Sequence, residues 1–368
     1  MRAARNGAHT GRMSSPIPLP ALARPLVCAP MAGGPSTPEL AAAVDRAGGL
    51  GFLAAGYLSA EALREQIERT RSLGARRLGV NLFLPQPGPN SRAGLEAYRE
   101  RLAPEFAELG AEPPEGFRFD DDALEAKAAV LEELRPDAVS TTFGLPSPEL
   151  VSRLRAAGIA VLATVTSPEE IGRALAGDAD GVVVQGAEAG GHRGAFDPYA
   201  EPGPHSTPDL VRAAAEHPAR RGRPVIAAGG ISSPEDLRAA LDAGALAGQA
   251  GTAFLLAEEA GTKPLHREAL VRLGERPTAV TRAFSGRAAR SIENAMTRKH
   301  SAEAPSAYPE VHYLTAPLRA AAAAAGDAEH LNLWAGERFA EVVAGLGLAG
   351  ERTARPASEI AAWLAPAG

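Results

Sequence analysis

From residue 25 onward, short apolar runs of β-type residues alternate with stretches whose apolar positions recur at helical spacing. Eight such runs stand out, at 26–30, 51–55, 79–84, 138–142, 160–165, 181–184, 224–228 and 247–254; the last is irregular, with Gly248 and Gly251 inside it. Alternation of this kind predicts a parallel sheet wrapped by helices. The helical stretches open on one recurring device: Thr37-Pro38-Glu39, Ser147-Pro148-Glu149, Ser167-Pro168-Glu169, Thr207-Pro208-Asp209 and Ser233-Pro234-Glu235. A hydroxyl cap, a proline at the first helical position and an acid in the first turn each satisfy or complement the unpaired amides there. Glu170 would complete a capping box with Ser167, and Gly48, Gly158, Gly177 and Gly244 mark helix ends. A doubly wound open sheet alternates in the same way, but eight units favour a (β/α)8 barrel.

The reading divides the chain into three parts. Residues 1–20, polar and proline-containing, are expected to be a flexible tail without the apolar stretch of a secretory signal. Residues 21–287 form the α/β barrel, a TIM barrel interrupted at 86–135 by an inserted segment after the third strand. There Pro85, Pro87 and Pro89 break the chain before helices expected near 91–109 and 121–134. Residues 288–368 are expected to add C-terminal helices packed on the barrel, with the alanine-rich run 320–325 in one of them.

Composition narrows the partners. A formal net charge of -6 with both signs interspersed lacks the basic stripe of a nucleic-acid binder. No run approaches the roughly 20 apolar residues of a membrane span, so a cytoplasmic protein with a small-molecule partner is expected. The single cysteine, Cys28, lies in the first apolar run and reads as a buried core thiol.

In a barrel of this kind the active site is built from the loops that follow the strands, and those loops are rich in glycine. Gly229 and Gly230 follow the seventh run, and Gly251 and Thr252 end the eighth. Glycines there let backbone amides approach a phosphate, at the strand 7 and 8 position where this fold repeatedly binds one. His192 sits between Gly190, Gly191 and Gly194 after the sixth run, which presents an imidazole at the barrel mouth. The other seven histidines have no such setting, and no pair has metal-ligand spacing, so no metal site is expected.

Taken in order, the stretches CAPMAGG (28–34), the strand end at Gly79-Val80-Asn81, VVVQGAEAGGHRG (182–194), IAAGGI (226–231), QAGTAFL (249–255), TRAFSGR (281–287) and LNLWAGERF (331–339) resemble the nitronate monooxygenase family. The resemblance implies FMN held without a covalent bond. Met31 and Ala32 would then lie under the flavin ring, Asn81 and Gln185 would bond its polar edge, and Gly229, Gly230, Gly251 and Thr252 would hold its phosphate. Pro30, Gly33, Gly190, Gly191 and Gln249 complete the expected cofactor contacts, and His192 falls on the family's catalytic histidine. Two departures are Ser285-Gly286-Arg287-Ala288-Ala289-Arg290-Ser291, where the family often reads SGRPARG, and the Ala247-Gly248 pair before Gln249.

The implied reaction is oxidation of an alkyl nitronate by molecular oxygen to a carbonyl compound and nitrite. A carboxylated substrate such as propionate 3-nitronate could pair with Arg193 or Arg287, which read equally well as members of surface ion pairs. The resemblance leaves a homodimer open, and leaves open whether 86–135 gates access. The nearest alternative enzyme is a flavin- and NADH-dependent enoyl thioester reductase, whose sequences share a Gly-Gly-His loop. A barrel that only binds a phosphate-bearing ligand is the third reading. Inosine monophosphate dehydrogenase chemistry is set aside because it needs a loop cysteine and Cys28 lies within a strand run.

Overall fold

The computed structural model describes residues 15–366. Of the expected tail, 1–14 lie outside the described residues. Residues 15–20 are seated against the barrel: the Ile17 amide donates to Asp180 Oδ1 at 2.8 Å, and Ile17 and Leu19 pack on the barrel interior.

Eight parallel strands form the barrel: β1 (Leu26–Cys28), β2 (Phe52–Ala54), β3 (Gly79–Phe83), β4 (Ala138–Thr142), β5 (Ala160–Val165), β6 (Gly181–Gln185), β8 (Val225–Ala228) and β9 (Ala247–Ala250); β7 (Gly191–His192) belongs to a separate small sheet. Neighbours run in the order β1-β9-β8-β6-β5-β4-β3-β2. A parallel bridge between Val27 and Leu50 closes the ring, with Cys28 N donating to Leu50 O at 2.9 Å and Leu50 N to Leu26 O at 3.0 Å. The eighth apolar run is strand only to Ala250, then turns at Gly251 into the short helix Thr252–Leu255. Cys28 is fully buried in β1, which raises its thiol pKa well above the ordinary value.

Alternation along the strands sorts the interior into two levels. Val27, Phe52, Ala138, Ala160, Leu162, Val183 and Ile226 point inward and fill the lower barrel with apolar side chains. One pleat period further along, the inward positions turn polar or small: Asn81, Ser140, Thr142, Thr164, Gln185 and Gln249 line a cavity at the C-terminal ends of the strands. Each buried aliphatic side chain below contributes about 1.5–3 kcal/mol, so the floor is rigid where the roof is chemically equipped.

Thr37, Ser147, Ser167 and Ser233 cap their helices, each hydroxyl accepting from the amide three residues on. Two expected caps differ. Ser206 rather than Thr207 caps the helix Thr207–Glu216, because the Thr207 hydroxyl turns inward to donate to Ala228 O and Gly229 O at 3.1 and 2.9 Å. Glu170 forms no capping box with Ser167, because its carboxylate accepts from Thr166 N and Phe196 N, both at 2.6 Å.

The helices Arg92–Arg101 and Ala103–Glu108 leave the barrel and join the C-terminal helices in a second apolar core, where Tyr98 donates to Ala283 O at 2.7 Å. Leu124–Leu134, read from the sequence as inserted, instead packs in the barrel wall, its Ala128 and Leu131 against Val80 and Val139. The C-terminal helix Ala357–Leu364 returns to pack on Pro38–Arg46 and Pro234–Asp242, which gives the wall a helix where β9 meets β1.

Candidate active site

Every residue expected to touch a cofactor, together with His192, lines one cavity of about 280 Å³ at the barrel mouth. Pro30, Met31, Ala32 and Gly33 come from the loop after β1. Asn81 ends β3, Gln185 ends β6, Gly190 and Gly191 lead into β7, Gly229 and Gly230 follow β8, and Gln249, Gly251 and Thr252 end β9. Gly229 and Gly230 stand at φ +96° and +67°, a left-handed pair that only glycine adopts without strain. The arrangement at this corner is backbone held close to open space, with Gly251 N-terminal to the short helix Thr252–Leu255.

His192 does not hang in a loose loop. With Gly191 it forms β7, paired to β11 (Ala289–Ile292), which pairs in turn with β10 (Thr278–Thr281). Gln185 braces the same turn from below: its Nε2 donates to His192 O at 2.9 Å and its Oε1 accepts from Gly194 N at 2.8 Å. The Gln185 amide thus holds the histidine turn while it lines the cavity. Asn81 donates through Nδ2 to Ser140 Oγ at 2.9 Å and Thr142 Oγ1 at 3.0 Å, which fixes its amide plane in the cavity floor.

The imidazole of His192 is ringed by aromatic side chains, with centroids of Trp334, Tyr308, Phe143 and Phe83 at 5.5, 5.7, 5.8 and 6.5 Å. Its Nε2 lies 2.8 Å from Ser285 Oγ. Burial in this apolar cage, reinforced by the charges of Arg287 and Arg319, pulls its pKa down to about 3. The ring is neutral at physiological pH. Its Nδ1 has no hydrogen-bond partner among the described residues.

The two arginines expected to meet a substrate carboxylate do not line the cavity. Arg193 is buried, and its guanidinium donates to Gly186 O and to Gln185 O. Arg287, 2% exposed, donates to Gln86 Oε1 at 2.5 Å, to Ala195 O and to Arg193 O, and lies 3.9 Å over the Phe143 ring. Both act as internal braces.

Sequence reasoning passed over several lining residues. His266 donates from Nε2 to Trp334 O at 2.9 Å, and burial lowers its pKa to about 4. His312 stacks on Tyr57 with centroids 4.1 Å apart and planes 3° from parallel. Among the described residues, Lys263 and Arg319 supply the cavity's two full positive charges, and no aspartate or glutamate lines it. In a chain of net charge -6 this is a local reversal of sign, which draws anionic ligands. None of these residues carries a glycine-rich motif; each reaches the cavity from the C-terminal part of the chain or, for Tyr57, from the turn after β2.

The C-terminal segment closes one side. Leu331, Leu333 and Trp334 line the cavity, Gly336 N donates to Thr252 Oγ1 at 2.9 Å, and Arg338 donates to Gly230 O and Asp236 Oδ1, each at 2.6 Å. Among the described residues no helix is long and apolar enough to cross a membrane.

Comparison with known proteins gives a consistent result. Residues 18–345 match the family profile described as nitronate monooxygenase. A nitronate monooxygenase of Pseudomonas aeruginosa is 43% identical over 325 residues, covering 85% of this chain and 90% of the relative. One from Paraburkholderia phytofirmans is 40% identical over 332 residues, covering 88% and 89%. Among solved structures, a nitroalkane oxidase from Streptomyces ansochromogenes superposes with a TM-score of 0.84 at 44% identity, covering 94% of this chain and 95% of that one.

Proposed function

The chain belongs to the nitronate monooxygenase family, and from that premise we propose that it oxidises alkyl nitronates with molecular oxygen, releasing a carbonyl compound and nitrite, with FMN held noncovalently in the cavity. The cavity suits that cofactor: left-handed glycines and backbone amides at Gly229, Gly230, Gly251 and Thr252 offer a phosphate seat without side-chain bulk. Pro30, Met31, Ala32 and Gly33 border the same space, as do Asn81, Gly190, Gly191 and Gln249, while Gln185 serves the group by fixing the His192 turn. Bound FMN would supply the electron-accepting and oxygen-reactive chemistry that no side chain here carries.

The chain's own part is to bind, orient and exclude water. His192 presents Nδ1 to the substrate while Ser285 holds Nε2, and the aromatic cage keeps water from the reacting group. The observation that carries the reading is the lining itself, where Lys263 and Arg319 bring positive charge and no carboxylate of the described residues opposes it. Burial adds to this by making His192 a weak base, its pKa lowered to about 3. So weak a base is poorly matched to pulling a proton from a neutral nitroalkane, and a substrate already in the anionic nitronate form needs no such step. The cationic, carboxylate-free lining suits that anion.

The test uses the purified protein reconstituted with FMN. Oxygen uptake and nitrite release are expected with propionate 3-nitronate and far more slowly with the neutral nitroalkane. His192→Asn should lower kcat/KM by roughly 10–100-fold, the loss expected when one hydrogen bond to a charged group is removed, while the flavin absorbance stays. Protein that takes up no FMN, or flavin that NADH bleaches rapidly with no nitrite formed from a nitronate, would overturn the proposal.

A further inference from the structure

A cation that lines a cavity and has no acidic partner is costly to keep unless a ligand supplies the opposite charge. Arg319 is such a cation. Its Nε donates to Thr315 Oγ1 at 3.2 Å and its Nη2 to His312 O at 2.8 Å, with His312 Nδ1 3.5 Å from the same nitrogen, and these neutral partners aim the guanidinium without cancelling its charge. Among the described residues no carboxylate pairs with it, and Nη1 has no hydrogen-bond partner. Burial lowers its pKa to about 10, which still leaves it charged at neutral pH. The cavity's other cation, Lys263, is solvent-exposed at the rim, and the buried Arg193 and Arg287 are committed to carbonyl and amide oxygens away from the lining.

Position adds to charge. Arg319 lies beside His312, which stacks on Tyr57, while Phe83 and Tyr308 separate that pair from the His192 ring. Arg319 and His192 line the same cavity, and no hydrogen bond joins them. A group bound at Arg319 is therefore a different part of the substrate from the part that meets His192. A planar guanidinium with an unspent edge matches a carboxylate.

Resting on the nitronate reading, we infer that Arg319 is the specificity-determining residue of this cavity, binding a carboxylate that the substrate carries away from its reacting carbon. The experiment compares propionate 3-nitronate with propyl-1-nitronate, which has the same carbon count and no carboxylate, in the wild type, Arg319→Met and Arg319→Gln. The ratio of kcat/KM for the first over the second should fall on the order of 10–100-fold in both variants. Titration of the FMN-loaded protein with propanoate, followed by calorimetry, should show binding to the wild type and none to either variant. Arg319→Gln keeps polar contacts toward Thr315 and His312, and its flavin absorbance and melting temperature establish that it is folded. An unchanged substrate ratio, or propanoate binding retained in a folded variant, would overturn the assignment. If the wild type oxidises neither nitronate, the nitronate reading falls, and the propanoate titration still decides whether Arg319 binds carboxylates.

Discussion

Although 93 positions apart in the chain, His192 and Ser285 bring Nε2 and Oγ to 2.8 Å. The serine is anchored in turn: its Oγ lies 3.2 Å from Arg287 O and accepts from Arg287 N at 3.4 Å. The one hydroxyl proton serves either the carbonyl or the imidazole, so Nε2 donates to Ser285 when that proton goes to Arg287 O and accepts from it otherwise.

Removing that hydroxyl should disturb orientation without emptying the site. Ser285→Ala is expected to lower kcat by about tenfold, equivalent to about 1.4 kcal/mol, with FMN affinity unchanged. Steady-state kinetics beside a fluorescence titration of FMN decides this. A variant with wild-type kcat would show that Ser285 does not position the imidazole.

Three cavity histidines make the fold sensitive to acid. Burial depresses the pKa of His192 to about 3, that of His266 to about 4, and that of His312 well below the ordinary value. Between about 6.5 and those values the unfolded chain binds protons that the folded chain does not. Stability is therefore level above pH 6.5 and falls below it, by up to about 1.4 kcal/mol per pH unit for each group. Asp122 and Glu310, whose pKa values burial raises, act in the opposite sense. The melting temperature should drop by several degrees from pH 7 to pH 5, and His266→Gln, whose amide keeps a donor for Trp334 O, should flatten the decline. Parallel slopes for His266→Gln and wild type would show that His266 does not drive it.

The barrel was legible because its punctuation repeats: at four of five predicted helix starts the hydroxyl before proline is the cap observed. The cavity lining was legible because backbone that turns tightly beside a cavity, as at Gly229 and Gly230, needs glycine, and glycine leaves a visible mark. What stayed hidden depends on long-range pairing. The strand Gly191–His192 is too short to show any periodicity, so its sheet with residues 278–292 had no local signal. Arg319 precedes an alanine-rich run that reads as plain helix, and nothing in that pattern says which way its guanidinium faces. Arg193 and Arg287 read as partners of a substrate carboxylate or of surface acids, and only tertiary structure shows backbone carbonyls consuming them.

A buried ion pair supports the Tyr57 side of the cavity. Lys127 is fully buried with Nζ 2.7 Å from Asp122 Oδ2, and Asp122 Oδ1 accepts from Tyr57 N at 2.8 Å. Burial pushes both partners toward their neutral forms, raising the Asp122 pKa and lowering that of Lys127. Lys127→Met leaves the carboxylate without its cation and should cost roughly 3–5 kcal/mol. Adding Asp122→Asn, which keeps an acceptor for Tyr57 N, should recover much of that loss. Denaturant melts of the two variants test the coupling, and a double variant no more stable than Lys127→Met would refute it.

Neighbouring glycines at the His192 turn should respond to alanine in different ways. Gly191 has φ +70° with open space where a Cβ would stand, so Gly191→Ala should cost only the left-handed backbone strain, about 1–2 kcal/mol. At Gly190 the obstacle is steric. A Cβ there would collide with the Ala335 carbonyl carbon and lie 2.5 Å from Gly336 N, and neither backbone atom can swing aside as a side chain could. Relief requires moving the segment that contributes Leu333 and Trp334 to the cavity and whose Gly336 amide donates to Thr252. Gly190→Ala should therefore lower the melting temperature more than Gly191→Ala and weaken FMN binding by at least about tenfold, which corresponds to about 1.4 kcal/mol. Equal FMN affinities in the two variants would mean that the 331–338 segment is not held against the cavity by its contact with Gly190.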